Sequence, residues 1–219
     1  MGDSVTQGCF ELYKKEGNVV ETVFDKRYSY EAYVFEIFCM LYPSVTLNII
    51  NAGISGDRAC SGAERVERDV LSHKPDLTVV CYGLNDCAHE KTSLEEYITS
   101  LGNIFDKLKD SRCDIIFMTP NMMNTKISPH LTDKDYIDIA ERKAKLQNDG
   151  ILDLFVDEAK KLCNERKIPV CDCYSLWKKL YHGGVDTTEL LANKINHPTR
   201  EMNKLFAYEL VKTMFEETK

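Results

Sequence analysis

The feature that most constrains the fold is a repeated alternation between short apolar segments and longer segments with helical periodicity. Four apolar segments are rich in β-branched residues and are bounded by polar or turn-forming residues. They cover residues 45–51, 77–82, 114–119 and 168–173. Nearly continuous apolar runs of this length are typical of strands that are buried on both faces of a parallel sheet. The pattern therefore predicts a central sheet with four such strands.

Between and after these runs, apolar residues recur at intervals of three and four, which predicts amphipathic helices. The predicted helices cover residues 28–41, 63–72, 94–108, 151–166 and 199–215. Residues 121–150 are expected to begin as a loop and to end as a charged helix. Strands that alternate with helices indicate βαβ units. The expected fold class is therefore α/β, with a doubly wound parallel sheet.

Length, charge and cysteine content limit the function classes. A chain of 219 residues is expected to form one domain over residues 1–219. Its net charge of −7 argues against nucleic acid as a partner, and no apolar run is long enough to predict a membrane span. The nine cysteines are odd in number and form no CxxC motif, which indicates reduced thiols and a cytoplasmic location. No cofactor and no metal are expected, because the chain has neither a nucleotide-binding glycine motif nor a metal-binding helix motif.

Four short motifs are candidates for a functional site. In an open parallel sheet, ligands bind beyond the carboxyl ends of the strands, so the loops that follow strands are the places to search. NAGISGD at residues 51–57 and GLND at residues 83–86 each leave a predicted strand. GDS at residues 2–4 opens the chain, and NHP at residues 196–198 precedes the last predicted helix.

These motifs contain the groups that acyl transfer requires, namely a nucleophile, a base and donors for an oxyanion. Ser4 lies in a glycine-flanked turn from which a hydroxyl can face solvent. Gly56 allows a backbone N–H to approach a substrate, and Asn85 offers a neutral carboxamide donor. His197 can accept a proton near neutral pH. Each motif alone is more often an ordinary turn or helix cap, and it is their combination at predicted strand ends that indicates a site.

The four motifs resemble those of the GDSL or SGNH hydrolase family over nearly the whole chain. The resemblance implies a three-layer α/β/α sandwich with a flavodoxin-like parallel sheet. It implies that Ser4 is the nucleophile, that the backbone N–H groups of Ser4 and Gly56 and the side chain of Asn85 form the oxyanion hole, and that His197 is the base. It also implies a small-molecule ester as substrate; the oligomeric state is left open.

The sequence departs from the family at two places. The family's last motif is Asp-x-x-His, whereas Lys194 stands three residues before His197. We expect either a backbone carbonyl or another acid such as Asp186 to orient the histidine, or else a slow enzyme. The family also places its serine after a full first strand, but only Met1 precedes Gly2, so that strand is apparently truncated. An apolar strand upstream of Met1 in the natural protein is the expectation.

Three functions remain open at this point. The first is hydrolysis of carboxylic esters through an acyl-enzyme on Ser4, with acetyl or short acyl esters of carbohydrates as candidates. The second is a lysophospholipase or thioesterase that uses the same site. The third is a catalytically weak module that binds acyl or sugar ligands, which only Lys194 favours. Residues 121–150 follow a predicted strand and are expected to contribute to the substrate pocket.

Overall fold

The computed structural model describes residues 1–89 and 92–216. Within these residues the strands are β1 Cys9–Lys14, β2 Val20–Phe24, β3 Leu77–Val80, β4 Asp114–Met118 and β5 Val170–Cys171. The helices are α1 Ser4–Gln7, α2 Tyr30–Leu41, α3 Ala59–Asp69, α4 Leu94–Asp110, α5 Lys134–Asn148, α6 Ile151–Arg166, α7 Cys173–His182 and α8 Arg200–Phe215.

The central sheet is parallel and has the order that the sequence predicts. β4 pairs in parallel with β3 on one side and with β5 on the other. Gly2 forms parallel bridges with both Gly53 and Cys81, so the start of the chain lies between the 45–53 segment and the end of β3. The order across the sheet is thus the 45–53 segment, Gly2, β3, β4 and β5, which is the flavodoxin-like order. The α/β three-layer architecture is confirmed.

Helices cover the sheet through their apolar sides. The residues of α4 that face the core include Leu101, Ile104, Phe105 and Leu108, all fully buried. α3 packs against α4, and α2 packs against α8. Side-chain caps fix where helices begin: Ser93 accepts a hydrogen bond from the N–H of Glu96 at the start of α4, and such caps satisfy N–H groups that have no partner inside the helix.

One predicted strand was wrong, and one hairpin was not predicted. Residues 45–51 form no strand, because within the described residues the 45–53 segment bridges to the sheet only through Gly53, which pairs with Gly2. A cavity of about 460 Å³ lies there instead, lined by residues 47–52 and 77–79; neither Ser4 nor His197 lines it. The antiparallel hairpin of β1 and β2 was not predicted, although Gly17 and Asn18 at its tip adopt positive φ angles of 82° and 62°.

The other predicted strands and helices are present, and most of them begin or end at residues that differ from the prediction. α3 begins at Ala59 rather than at residue 63, and the charged helix expected within residues 121–150 is α5. α7 was not predicted. Among the described residues, no helix is long and apolar enough to cross a lipid bilayer.

Candidate active site

Ser4 lies at the first turn after the central position of the sheet. Asp3 caps this turn by accepting the N–H of Val5 at 2.9 Å. A Cβ atom on Gly2 would lie 2.2 Å from the Thr6 hydroxyl oxygen and 2.6 Å from the Cys81 carbonyl oxygen, so no larger residue fits before Asp3. Ser4 keeps only 3% of its accessible surface and is therefore less open to solvent than the sequence suggested.

The loop that contains Gly56 is fastened to the turn of Ser4. The side-chain oxygen of Gln7 accepts the N–H of Ser55 at 2.6 Å, and the N–H of Ile54 donates to the Gly2 carbonyl at 3.0 Å. Gly56 has a φ of 78°, a left-handed conformation that favours glycine, and it is exposed. Within residues 1–89 and 92–216, the backbone N–H groups of Ser4 and Gly56 donate to no acceptor.

Asn85 lies on the neighbouring loop, and its carboxamide reaches the Gly56 loop. Its Nδ2 donates to the carbonyl of Asp57 at 3.0 Å. Asp86 holds the two loops together, since its carboxylate accepts the N–H of Ala59 at 2.8 Å and that of Gly83 at 3.0 Å. The structure therefore brings the loops of Gly56 and Asn85 together beside the turn that carries Ser4.

His197 contacts Ser4 directly, although 193 positions separate them. The Nε2 atom of His197 lies 3.0 Å from the Oγ atom of Ser4, and its Nδ1 atom lies 2.9 Å from the carbonyl oxygen of Phe10. A carbonyl oxygen can only accept, so Nδ1 carries the proton and donates it to Phe10. Nε2 is then left with its lone pair directed at the Ser4 hydroxyl, which is the tautomer that a general base requires.

The Phe10 carbonyl is the group at Nδ1, where the family resemblance implies an aspartate. Lys194 points elsewhere, because its Nζ atom lies 2.9 Å from the carboxylate of Glu189. Asp186 is paired with Lys126 at 2.6 Å and does not orient the histidine. Of the alternatives raised from the sequence, the structure thus shows a backbone carbonyl at Nδ1.

Asn193 shapes the loop that presents His197, and the sequence analysis did not identify it. Its side-chain oxygen accepts the backbone N–H groups of Ile195, Asn196 and His197 at 2.9–3.0 Å. Short polar side chains often fix loops in this way. An asparagine four residues before the candidate base was the available signal.

Burial dominates the electrostatics of the site. The pKa of His197 is lowered to about 4: burial is the largest cause and the nearby ammonium of Lys143 acts in the same direction, whereas the bond to Phe10 and the carboxylate of Glu11 oppose them. His197 is therefore neutral at physiological pH. Burial also raises the pKa of the neighbouring Asp3 to about 7. Within the described residues, no three histidine, cysteine, aspartate or glutamate side chains are grouped to hold a metal ion.

A buried arginine ties the three N-terminal motifs together beneath the site. Arg65 forms an ion pair with Asp57 at 2.6 Å, and it donates to the carbonyl oxygens of Ala52 and Gly2 and to the hydroxyl of Tyr82. Both charged side chains are less than a tenth exposed. This network connects the turn of Ser4, the Gly56 loop and the end of β3.

The segment that begins at Asn121 borders the loop of His197. The N–H of Asn124 donates to the carbonyl of Ile195 at 2.8 Å, and the Asn121 side chain donates to the carbonyl of Asn196 at 2.9 Å. The Asn124 side chain in turn donates to the Ala140 carbonyl of α5. The segment thus lies beside the site, and its part in a substrate pocket stays a prediction.

Comparison with known proteins identifies the family of the chain. The model of the GDSL-like lipase/acylhydrolase family matches residues 1–205. An acetylxylan esterase from Geobacillus stearothermophilus is 31% identical over 100 residues, which are 42% of this chain and 46% of that protein. The match therefore spans about half the length of this curated relative.

Solved structures with the same fold include acetylxylan esterases. The crystal structure of Axe2, from the same organism, has a TM-score of 0.72 and 20% identity, and the match covers 99% of this chain and 93% of that one. The acetyl xylan esterase AlAXEase has a TM-score of 0.73 at 20% identity, over 98% of this chain and 97% of that one. At these identities the likeness shows the fold. Together with the family match over residues 1–205, it shows that the chain belongs to the GDSL-like lipase/acylhydrolase family, a family of serine ester hydrolases, as its four motifs indicated.

Proposed function

We propose that the protein hydrolyses carboxylic esters through an acyl-enzyme on Ser4. The observation that carries the proposal is the chain of two contacts, from the Ser4 hydroxyl to Nε2 of His197 and from Nδ1 to the Phe10 carbonyl. This chain supplies a nucleophile, a base in the correct tautomer and a group that orients the base. Family membership supports the same reaction class.

In the first half of the reaction, Ser4 attacks the carbonyl carbon of the ester while His197 takes the hydroxyl proton. The negative charge that develops on the carbonyl oxygen is stabilised by the N–H groups of Ser4 and Gly56 and by the carboxamide of Asn85. When the intermediate collapses, the bond to the alcohol breaks and His197 returns the proton to the alcohol oxygen. Water then attacks the acyl-enzyme by the same steps, which releases the acid and restores Ser4.

Acetyl and other short acyl esters of carbohydrates are the proposed substrates. Ser4 and His197 are 3% and 5% exposed, whereas Ser55 and Gly56 of the neighbouring loop are exposed, which supports little room for the acyl group at Ser4 and an alcohol that stays toward solvent. Such a site favours a small acyl group with a large alcohol outside. The acetylxylan esterases among the similar proteins support a carbohydrate alcohol.

The cytoplasm is the proposed location. None of the nine cysteines forms a disulfide. Reduced thiols in such number fit a reducing compartment.

The test is a screen of p-nitrophenyl esters from acetate to decanoate, followed by acetylated xylo-oligosaccharides. We expect kcat/KM to be highest for acetate and to fall with chain length, because each methylene changes binding by a measurable step. Ser4→Ala and His197→Ala should each lower kcat by about 10³-fold or more while the fold is kept. Ser4→Ala with wild-type turnover would overturn the acyl-enzyme, and a maximum at long chains would overturn the short-acyl assignment alone.

A further inference from the structure

The carbonyl that contacts His197 belongs to an irregularity in the hairpin. Cys9 pairs with Phe24 and Leu12 pairs with Thr22, so two residues of β1, Phe10 and Glu11, oppose a single residue of β2. This is a β-bulge, which leaves backbone groups out of the ladder and changes their direction. The Phe10 carbonyl is available to Nδ1 of His197 for this reason.

One side chain holds both residues of the bulge. The guanidinium of Arg200 donates two hydrogen bonds to the Glu11 carboxylate, at 2.5 and 3.1 Å, and its carbon lies 4.3 Å from the centre of the Phe10 ring. It also lies near Asp25, at the end of β2, at 3.7 Å. A two-point bond and a ring contact together fix direction as well as distance, which a lysine could not do.

Arg200 is also close to His197 in sequence, as the first residue of α8. The loop of His197 and the bulge are thus joined twice, through the bond from Nδ1 to Phe10 and through the bonds from Arg200 to Glu11. The hydrogen bond from Nδ1 alone would leave the Phe10 carbonyl free to rotate with the strand. The bonds from Arg200 to Glu11 prevent that rotation.

We propose that Arg200 and Glu11 are positioning residues which hold the Phe10 carbonyl against His197 and so replace the absent triad aspartate. The proposal rests on the proposed function, since it concerns the base of that reaction. Glu11 has a second effect, because its negative charge favours the imidazolium that forms when Ser4 loses its proton. Among the residues that the structure describes, Lys143 of α5 also acts on His197, and it opposes that charge.

The test compares four variants with the wild type on p-nitrophenyl acetate. Arg200→Met and Glu11→Gln should each lower kcat by about 10- to 100-fold with KM within about twofold, because a misplaced base slows the chemical step. The double variant Glu11→Arg with Arg200→Glu should recover part of the loss, because it restores the two-point bond in reverse but neither the ring contact with Phe10 nor the negative charge at position 11. Arg200→Lys should recover only part of it, because a lysine keeps the charge without the two-point bond.

A spectroscopic measurement separates positioning from general stability. In the wild type, the Nδ1 proton of His197 should give a downfield proton resonance that exchanges slowly, and this resonance should broaden or vanish in Arg200→Met. Lys14→Met is the matched control, since Lys14 anchors the same strand through Asp133 and Asp135 at 2.7 and 2.8 Å without touching the bulge. It should leave kcat and the resonance unchanged.

Two results would overturn the inference while Ser4→Ala is inactive. One is wild-type kcat and an unchanged Nδ1 resonance in both Arg200→Met and Glu11→Gln. The other is a loss in Lys14→Met as large as that in Arg200→Met, which would mean that any anchor of the hairpin serves equally. An active Ser4→Ala variant would instead remove the proposed function itself.

Discussion

At the scale of the residue, a carbonyl can do part of what a triad carboxylate does. In serine proteases, removing the acid costs about 10⁴-fold in rate mainly because the histidine adopts the wrong tautomer. The Phe10 carbonyl accepts the Nδ1 proton of His197 and so enforces the correct tautomer. It carries no full charge, and the imidazolium is therefore stabilised less than it would be by a carboxylate.

The pH dependence of kcat/KM should reflect the lowered pKa of His197. His197 must be neutral to accept the Ser4 proton, so kcat/KM falls as the pH falls through the pKa of His197. Because that pKa is lowered to about 4, we expect the acid limb of the profile near pH 4 rather than near the ordinary value of about 6.5. Replacing Lys143 with methionine removes a positive charge that lowers this pKa, so the limb should move to higher pH.

Lys145→Met is the control for this prediction, since Lys145 lies on the same helix but is exposed and paired with Asp149. Its profile should coincide with that of the wild type. If the acid limb of Lys143→Met coincides with that of the wild type, or moves to lower pH, the charge of Lys143 does not lower the pKa of His197. The profiles are measured as kcat/KM on a neutral acetate ester, whose own charge does not change with pH.

At this scale the sequence could predict that two distant side chains meet, while their catalytic roles stay a prediction. The motifs identified Ser4 and His197, and the structure places them in contact. The acceptor on Phe10 could not be predicted, because every residue has a carbonyl and only the bulge directs this one. Asn193 was missed because an asparagine in a loop is common and its three bonds depend on the exact turn.

At the scale of the element, Arg65 determines how three loops assemble. Removing one member of a buried ion pair leaves the other charge without compensation, at a cost of about 3–5 kcal/mol. We therefore expect Arg65→Met to lower the free energy of unfolding by about that amount, measured by urea denaturation. Arg68→Met on the same helix is the control, because Arg68 is 75% exposed and a surface pair contributes at most about 1 kcal/mol. Equal effects of the two variants would refute the role given to Arg65.

Elements with a strong period were predicted best. α6 has the predicted ends, and α4 and α8 begin within one residue of prediction, because their apolar faces repeat regularly and meet the core. The hairpin of β1 and β2 was missed because its strands are short and carry charged residues between the apolar ones. The strand at 45–51 was wrongly predicted because an apolar run guarantees neither burial nor a hydrogen-bonding neighbour; Val45 and Ile50 are 65% and 53% exposed.

At the scale of the whole molecule, the sheet order was predictable and the domain count is still to be tested. The alternation of strands and helices predicted a doubly wound parallel sheet, and the family resemblance implied the flavodoxin-like order that the bridges of Gly2 complete. That residues 1–219 form one domain stays a prediction. Because a single domain of this kind usually unfolds cooperatively, we expect one thermal transition with equal calorimetric and van't Hoff enthalpies. Two resolved transitions would contradict it.

The choice of a main-chain acceptor for His197 has a consequence for how such a site tolerates mutation. A catalytic aspartate is lost by one codon change, whereas any residue placed at position 10 still contributes a carbonyl. The site is instead sensitive to the number of residues in β1. An insertion or deletion there would shift the bulge and present a different peptide unit to His197. Natural variants should therefore keep the length of the hairpin more strictly than the residue type at position 10, where only the ring contact of Arg200 depends on the side chain.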